Sequence, residues 1–181
     1  MLLNRSVSVA FCGMAAALST VLMFFTGLVP IATYALPALA GLVCMVVVVE
    51  LGIRWAWAVY GTASVLSVLL AADKEAVVLF ILFFGYYPIL KAMLERKNRP
   101  VLSWLVKFLV FNAAMVAGFF IAITLLGVPE ESFLMFGSLA PILVLLLGNG
   151  VFFVYDYTIS GLVVSYYQRF HKLVQGWLRK K

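Results

Sequence analysis

Charge is what this sequence has least of. Only 11% of its 181 residues are Asp, Glu, Lys or Arg, while 66% are hydrophobic. Water-soluble domains carry about 25% charged residues, and even they leave much of their surface in water. A soluble fold of this length has nowhere to put so much apolar surface, so a lipid bilayer must cover it. Histidine occurs once, as His171, and cysteine twice, as Cys12 and Cys44. No Cys/His spacing therefore suits a metal. Both cysteines lie inside apolar runs, as small packed or lipid-facing residues, and His171 falls in a basic tail, at a solvated or headgroup-level position. A Walker-type lysine loop, HExxH, GxSxG and paired catalytic carboxylates are all missing. That excludes an ATPase, leaves no catalytic residue to assign and calls for no cofactor. Acids are also scarce, with 7 Asp and Glu against 13 Lys and Arg. In a soluble protein this excess would suggest nucleic acid. In a bilayer protein it reads as retention of cationic loops in the cytoplasm, and no nucleic-acid partner is expected.

What the chain does have is long apolar runs, and a helix crosses the hydrocarbon core with about 20 such residues. Six segments fit: about Val7 to Phe25, Leu36 to Leu51, Trp55 to Ala72, Ala76 to Glu95, Val101 to Leu126 and Leu139 to Tyr167. The first is longer than a signal peptide's apolar region and begins with one cation, Arg5, so it reads as a retained helix. Gly27 and Pro30 break the chain after it, and Gly52–Arg54 makes a tight turn after the second segment. Asp73-Lys74-Glu75 forms a polar corner, and Pro88 predicts a kink in the fourth segment. The sequence therefore predicts an all-α, polytopic integral membrane protein: one six-helix domain over residues 1–181 with a basic tail, residues 168–181. That tail is either an interfacial helix or a frayed end. The cluster Lys91, Arg96, Lys97 and Arg99 sets the topology. With this loop inside, both termini also fall inside, and so do twelve of the thirteen Lys and Arg residues: Arg5, Arg54, Lys91, Arg96, Lys97, Arg99, Lys107, Arg169, Lys172, Arg179, Lys180 and Lys181. Lys74, Glu130 and Glu131 fall outside. Trp55, Trp57, Trp104, Tyr166, Tyr167 and Trp177 cluster at the inner interface, where amphipathic rings settle.

Ionisable groups at membrane depth are costly unless paired or hydrated. Asp156 is the deepest, about 20 Å from either end of a continuous helix. Lys107 is its expected partner, in a salt bridge between the fifth and sixth segments or in a binding or switching role. Glu50 and Arg54 stand at i, i+4 and read as a local ion pair. Asn112 and Asn149 lie near the middle of their helices, where an amide hydrogen-bonds a neighbouring helix or a ligand. Gly148-Asn149-Gly150 allows close approach. Tyr86 and Tyr87, just before Pro88, either line a kinked cavity or pack in the bundle. Thr33-Tyr34 follows the first outer loop, at a position for a lid. Most of these groups are uncharged, which suits a neutral or weakly polar ligand. Ala10, Gly13 and Ala17 form a small-residue stripe on the first segment, with Ala16 and Thr20 extending it, and such a stripe permits close helix contact.

Six helices in about 180 residues, cytoplasmic ends, a compact first outer loop and the small-residue face Ala10-Phe-Cys-Gly-Met-Ala-Ala-Ala-Leu resemble the substrate-binding S component of energy-coupling factor transporters. That family's usual Ala-xxx-Ala in the first helix is approximated here by Gly13-xxx-Ala17, since Met14 stands four residues after Ala10. The resemblance implies a multi-pass subunit of a bacterial plasma membrane that binds a vitamin or other small metabolite. Tyr34, Tyr86, Asn112, Asn149 and Asp156 are its candidate contacts. It further implies docking through Ala10, Gly13 and Ala17 to a separate transmembrane coupling protein, with cytoplasmic ATPase subunits supplying the energy. Two readings from other classes stand beside it: a non-transporting accessory or assembly protein, and a self-sufficient proton-linked carrier working through Asp156.

Overall fold

Each apolar run becomes a helix in the computed structural model, which describes residues 5–28, 32–96, 99–127, 140–171 and 174–176. In chain order these are α1 (Arg5–Phe25), α2 (Ala35–Glu50), α3 (Ile53–Leu70), α4 (Lys74–Leu79), a π-helical segment (Phe80–Phe84), α5 (Tyr87–Glu95), α6 (Pro100–Thr124) and α7 (Ala140–Arg169). No strand occurs among the described residues. The chain is a multi-pass helical membrane protein. Five spans are long and apolar enough to cross a bilayer: α1, α3, the composite Lys74–Glu95, α6 and Ile142–Arg169. At 16 residues, α2 is about 24 Å long and shorter than the hydrocarbon core. Side chains such as Leu69, Leu109 and Leu147, each at least 70% exposed, need lipid to cover them.

The helices run up and down, and their contacts sort into levels. Ala15 and Ala16 of α1 pack with Cys44 and Val47 of α2, Ala56 and Val59 of α3 and Ile89 of α5. Toward the other end of the bundle, Met23 packs with Ala40, Ala63, Ala76 and Phe80. Small residues let α1, α2 and α3 approach closely, the usual means of helix association where lipid removes the hydrophobic drive. A third cluster joins Phe83 and Tyr87 to Phe111 and Ala114 of α6 and Phe152 and Ile159 of α7.

The connections follow local chemistry. Leu51 and Gly52 join α2 to α3, and Gly52 stands at φ +95°, a conformation that suits glycine. Its N–H donates to the Val47 and Val48 carbonyls. Arg54 is thus already helical, inside α3 rather than in the expected turn. Asp73 caps α4, accepting from the Ala76 N–H at 3.0 Å and from the Thr33 hydroxyl at 2.9 Å. Lys74 reaches back to the Val68 and Ala71 carbonyls at the end of α3, both at 2.9 Å. The expected polar corner is therefore a helix start fused to a helix end.

The break in the fourth span starts earlier than Pro88 alone predicts. From Phe80 the ladder widens, with Gly85 N–H donating to the Phe80 carbonyl at 2.8 Å, and the Tyr60 hydroxyl satisfies the Ile81 carbonyl at 2.7 Å. Pro88 has no N–H to offer the carbonyl of Phe84, four residues before it. That carbonyl instead packs against Gly41 of α2, where a Cβ would lie only 2.1 Å away. Gly41→Ala must therefore push α2 off the break, at a cost of roughly 2 kcal/mol. Thermal unfolding in detergent should show a lowered midpoint for this variant and no such loss for Gly61→Ala, where an added Cβ meets nothing within 4 Å.

Candidate functional site

Two polar clusters sit at one end of the bundle, and a cavity sits toward the other. The larger cluster is built on α5, where Tyr87, Lys91 and Glu95 recur at every fourth residue and share one face. Asp156 of α7 is buried. Its Oδ1 accepts from the Tyr87 hydroxyl at 2.5 Å and from Lys91 Nζ at 2.7 Å, and Lys107 Nζ of α6 lies 2.9 Å away. Glu95 Oε1 accepts from the same two ammonium groups, at 2.7 and 2.8 Å. Lys107 also lies over the Trp104 ring, 4.9 Å from its centre. Two buried lysines and two carboxylates thus neutralise one another. Where buried charge is costly unless compensated, the cluster works as a tie between α5, α6 and α7. The expected Lys107–Asp156 contact is present. Sequence reasoning missed Lys91, which it placed in a cytoplasmic loop, and with it Glu95. The signal was the spacing Tyr87–Lys91–Glu95.

The second cluster closes around Glu50 at the end of α2. Its buried carboxylate accepts from the Tyr166 hydroxyl at 2.8 Å, lies 3.0 Å from His171 Nδ1, and takes Gln175 Nε2 at 3.4 Å. The expected Glu50–Arg54 pair is replaced by contacts to the last helix and to the segment after it. His171 is therefore part of a packed polar cluster rather than a solvated tail residue, and Tyr167 stacks on it with ring centres 4.3 Å apart. Lys172, Arg179, Lys180 and Lys181 of the basic tail lie outside the described residues.

Asn112 and Asn149 find each other. Each amide donates to the other's oxygen, at 2.9 and 3.0 Å, and each donates its second proton to the carbonyl four residues before it. All four amide protons are used, and the pair clasps α6 to α7. Beyond the clasp, residues of the two helices face a common space. They line a cavity of about 640 Å³ between α4, the π-helical segment, α6 and α7. Its rim carries Tyr34 and Glu75, its walls include Met115, Phe119, Ala122 and Val151, and Phe83, Phe84, Phe111, Phe152 and Tyr155 complete its aromatic lining. The buried Tyr155 hydroxyl has no hydrogen-bond partner among the described residues. Of the candidate ligand contacts, the structure brings Tyr34 to this cavity. Asn112, Asn149 and Asp156 are engaged with protein groups, and Tyr86 stacks on Trp57, with ring centres 6.5 Å apart, outside the described lining. Tyr155, three residues after Phe152 and seven after Gly148 on one helix face, was missed because a tyrosine in an apolar run carries no signal of its own.

On α1 the stripe divides. Ala16 and Thr20 face the bundle, whereas Ala10, Gly13 and Ala17 face outward beside Met14 and Leu18. A Cβ at Gly13 would meet nothing within 4 Å.

Compared with known protein families, with curated proteins and with solved structures, the chain matches none.

Asp156→Asn leaves two buried ammonium groups facing Glu95 alone and should cost roughly 3 kcal/mol. The unfolding midpoint in detergent should fall, and adding Lys107→Gln to that variant should restore part of the loss. Glu50→Ala removes the acceptor that holds the C-terminal segment. Trypsin should then cut after Arg169 several-fold faster, with the rest of the chain digested at the unaltered rate.

Proposed function

We propose that the chain is the small-molecule-binding subunit of a membrane transporter, with the ligand held in the cavity between α4, α6 and α7. The observation that carries this reading is the cavity itself. Its volume of about 640 Å³ falls in the range of small-molecule sites, and it has the expected lining: aromatic and aliphatic walls with a few polar groups. One of those groups is a buried hydroxyl that a ligand can satisfy.

The rest of the reading follows from charge. Arg54, Lys91, Arg96, Arg99, Lys107 and Arg169 lie toward the end opposite the cavity, and Arg5 begins α1 there. The positive-inside rule puts that end in the cytoplasm, with six crossings, both termini inside and the cavity opening outward from a plasma membrane. The short α2 makes the sixth crossing, completed by the residues that precede it. The sequence carries no nucleotide-binding motif, so energy comes from separate ATPase subunits through a transmembrane coupling protein. The outward stripe Ala10, Gly13 and Ala17 is the surface offered to that protein, in keeping with the resemblance to energy-coupling factor S components. A proton-linked carrier is the weaker reading, because Asp156 is held between two lysines and a tyrosine.

Native mass spectrometry of the purified protein in nanodiscs tests the assignment. A single small molecule should accompany the unaltered chain and Tyr86→Phe, and should be lost from Ala122→Trp, whose indole fills the cavity. Retention of the same molecule by Ala122→Trp would remove the cavity from consideration.

A further inference from the structure

The cavity's lining is uneven in two ways that bear on what it holds. The first is its side wall. Val144, Leu147 and Val151 line it, yet they are 60%, 72% and 70% exposed. An enclosed chamber does not leave its own wall residues so open. On this side the cavity faces the surroundings of the bundle along α7, beyond the Asn112–Asn149 clasp, and at this depth those surroundings are hydrocarbon. A ligand seated here keeps part of its surface in contact with lipid.

The second is the sign of charge at the mouth. Glu75 stands three and four residues before Val78 and Leu79, so all three share one face of α4, and all three line the cavity. No Lys, Arg or His is among the described lining residues. Lys74, which precedes Glu75, is tied to the carbonyls of Val68 and Ala71. The neighbouring acid, Asp73, is occupied as a helix cap.

Resting on the binding role proposed above, we infer that the ligand is an amphiphile of the bilayer. Its apolar body lies against the aromatic lining, and its cationic amine head is set at Glu75. The lateral opening accounts for the apolar body, and Glu75, with no cation among the described lining residues, accounts for the head. A carboxylate or phosphate head would meet only repulsion there.

The full chain in phosphatidylcholine nanodiscs is titrated with dansyl-labelled undecylamine, its N-acetyl derivative and dansyl-labelled undecanoic acid, with protein-free nanodiscs subtracted. The amine should bind about tenfold more tightly than the N-acetyl derivative, and the acid most weakly. Glu75→Gln should abolish the advantage of the amine and leave the N-acetyl derivative unchanged. Ala122→Trp, or Gly118→Leu should the first variant fail to fold, should remove saturable binding of all three. Equal affinities, or an amine advantage that survives Glu75→Gln, would overturn the inference about the head and leave the cavity assignment standing. So would failure of every probe to bind a protein that still carries its own small molecule. Saturable binding that survives both cavity-filling variants would overturn both, as would a protein that binds no probe and carries no molecule.

Discussion

A charge inside a membrane protein is costly unless it is paired, hydrogen-bonded or hydrated. Around Asp156 that requirement is met by Lys91 and Lys107, whose ammonium groups also hold Glu95. Four charged side chains from three helices sum to zero. Because a carboxylate accepts only from donors at fixed distances, the relative heights and rotations of α5, α6 and α7 follow from this one cluster. The tyrosine that completes it, Tyr87, carries the constraint into the aromatic packing of Phe83 and Phe152. The lower half of the bundle is thus held by ionic contacts and the middle by rings.

Above that level the ties become sparser. The amide pair Asn112–Asn149 is the last polar clasp between α6 and α7 among the described residues. The two helices are therefore fixed together at one end and separated by a cavity toward the other. A lower half tied by polar contacts and an open upper half suit the binding role proposed above, since a site there stays accessible while its position is set by the scaffold below. On the far side of the molecule α1, α2 and α3 pack through small residues such as Ala16, Ser19, Cys44 and Ala56.

Much of the architecture was legible in the residues. Long apolar runs separated by Gly27, Gly52, Asp73 and the Lys91–Arg99 cluster mark the helices to within a few residues, because lipid demands uninterrupted helical hydrogen bonding. Asp156 and its partner Lys107 were legible because a buried charge is rare enough to stand out. Lys91 was not, because a lysine one turn from a basic loop looks like part of that loop. Only the shared face of Tyr87, Lys91 and Glu95 separates it from its neighbours. Glu50 was misassigned for the opposite reason. A nearby arginine at i, i+4 offered a local partner, whereas the real partners lie more than a hundred residues away in sequence. The cavity was the least legible feature. Its walls are ordinary leucine, valine, phenylalanine and alanine, and a space between helices leaves no mark on any one of them. The asparagines that looked like ligand contacts are where the space ends.

The π-helical segment Phe80–Phe84 gives the fourth span one residue more than a regular helix would use for the same turn. Each residue of an α-helix advances the rotation by about 100°. That single surplus residue therefore sets the angular phase of everything after it, and the phase it sets turns Tyr87, Lys91 and Glu95 toward Asp156. Were Phe80–Phe84 to wind as regular α-helix with no residue removed, all three would swing about 100° aside, into lipid or a neighbouring helix. The bulge that seems an irregularity in one helix is what brings the charges of three helices into phase.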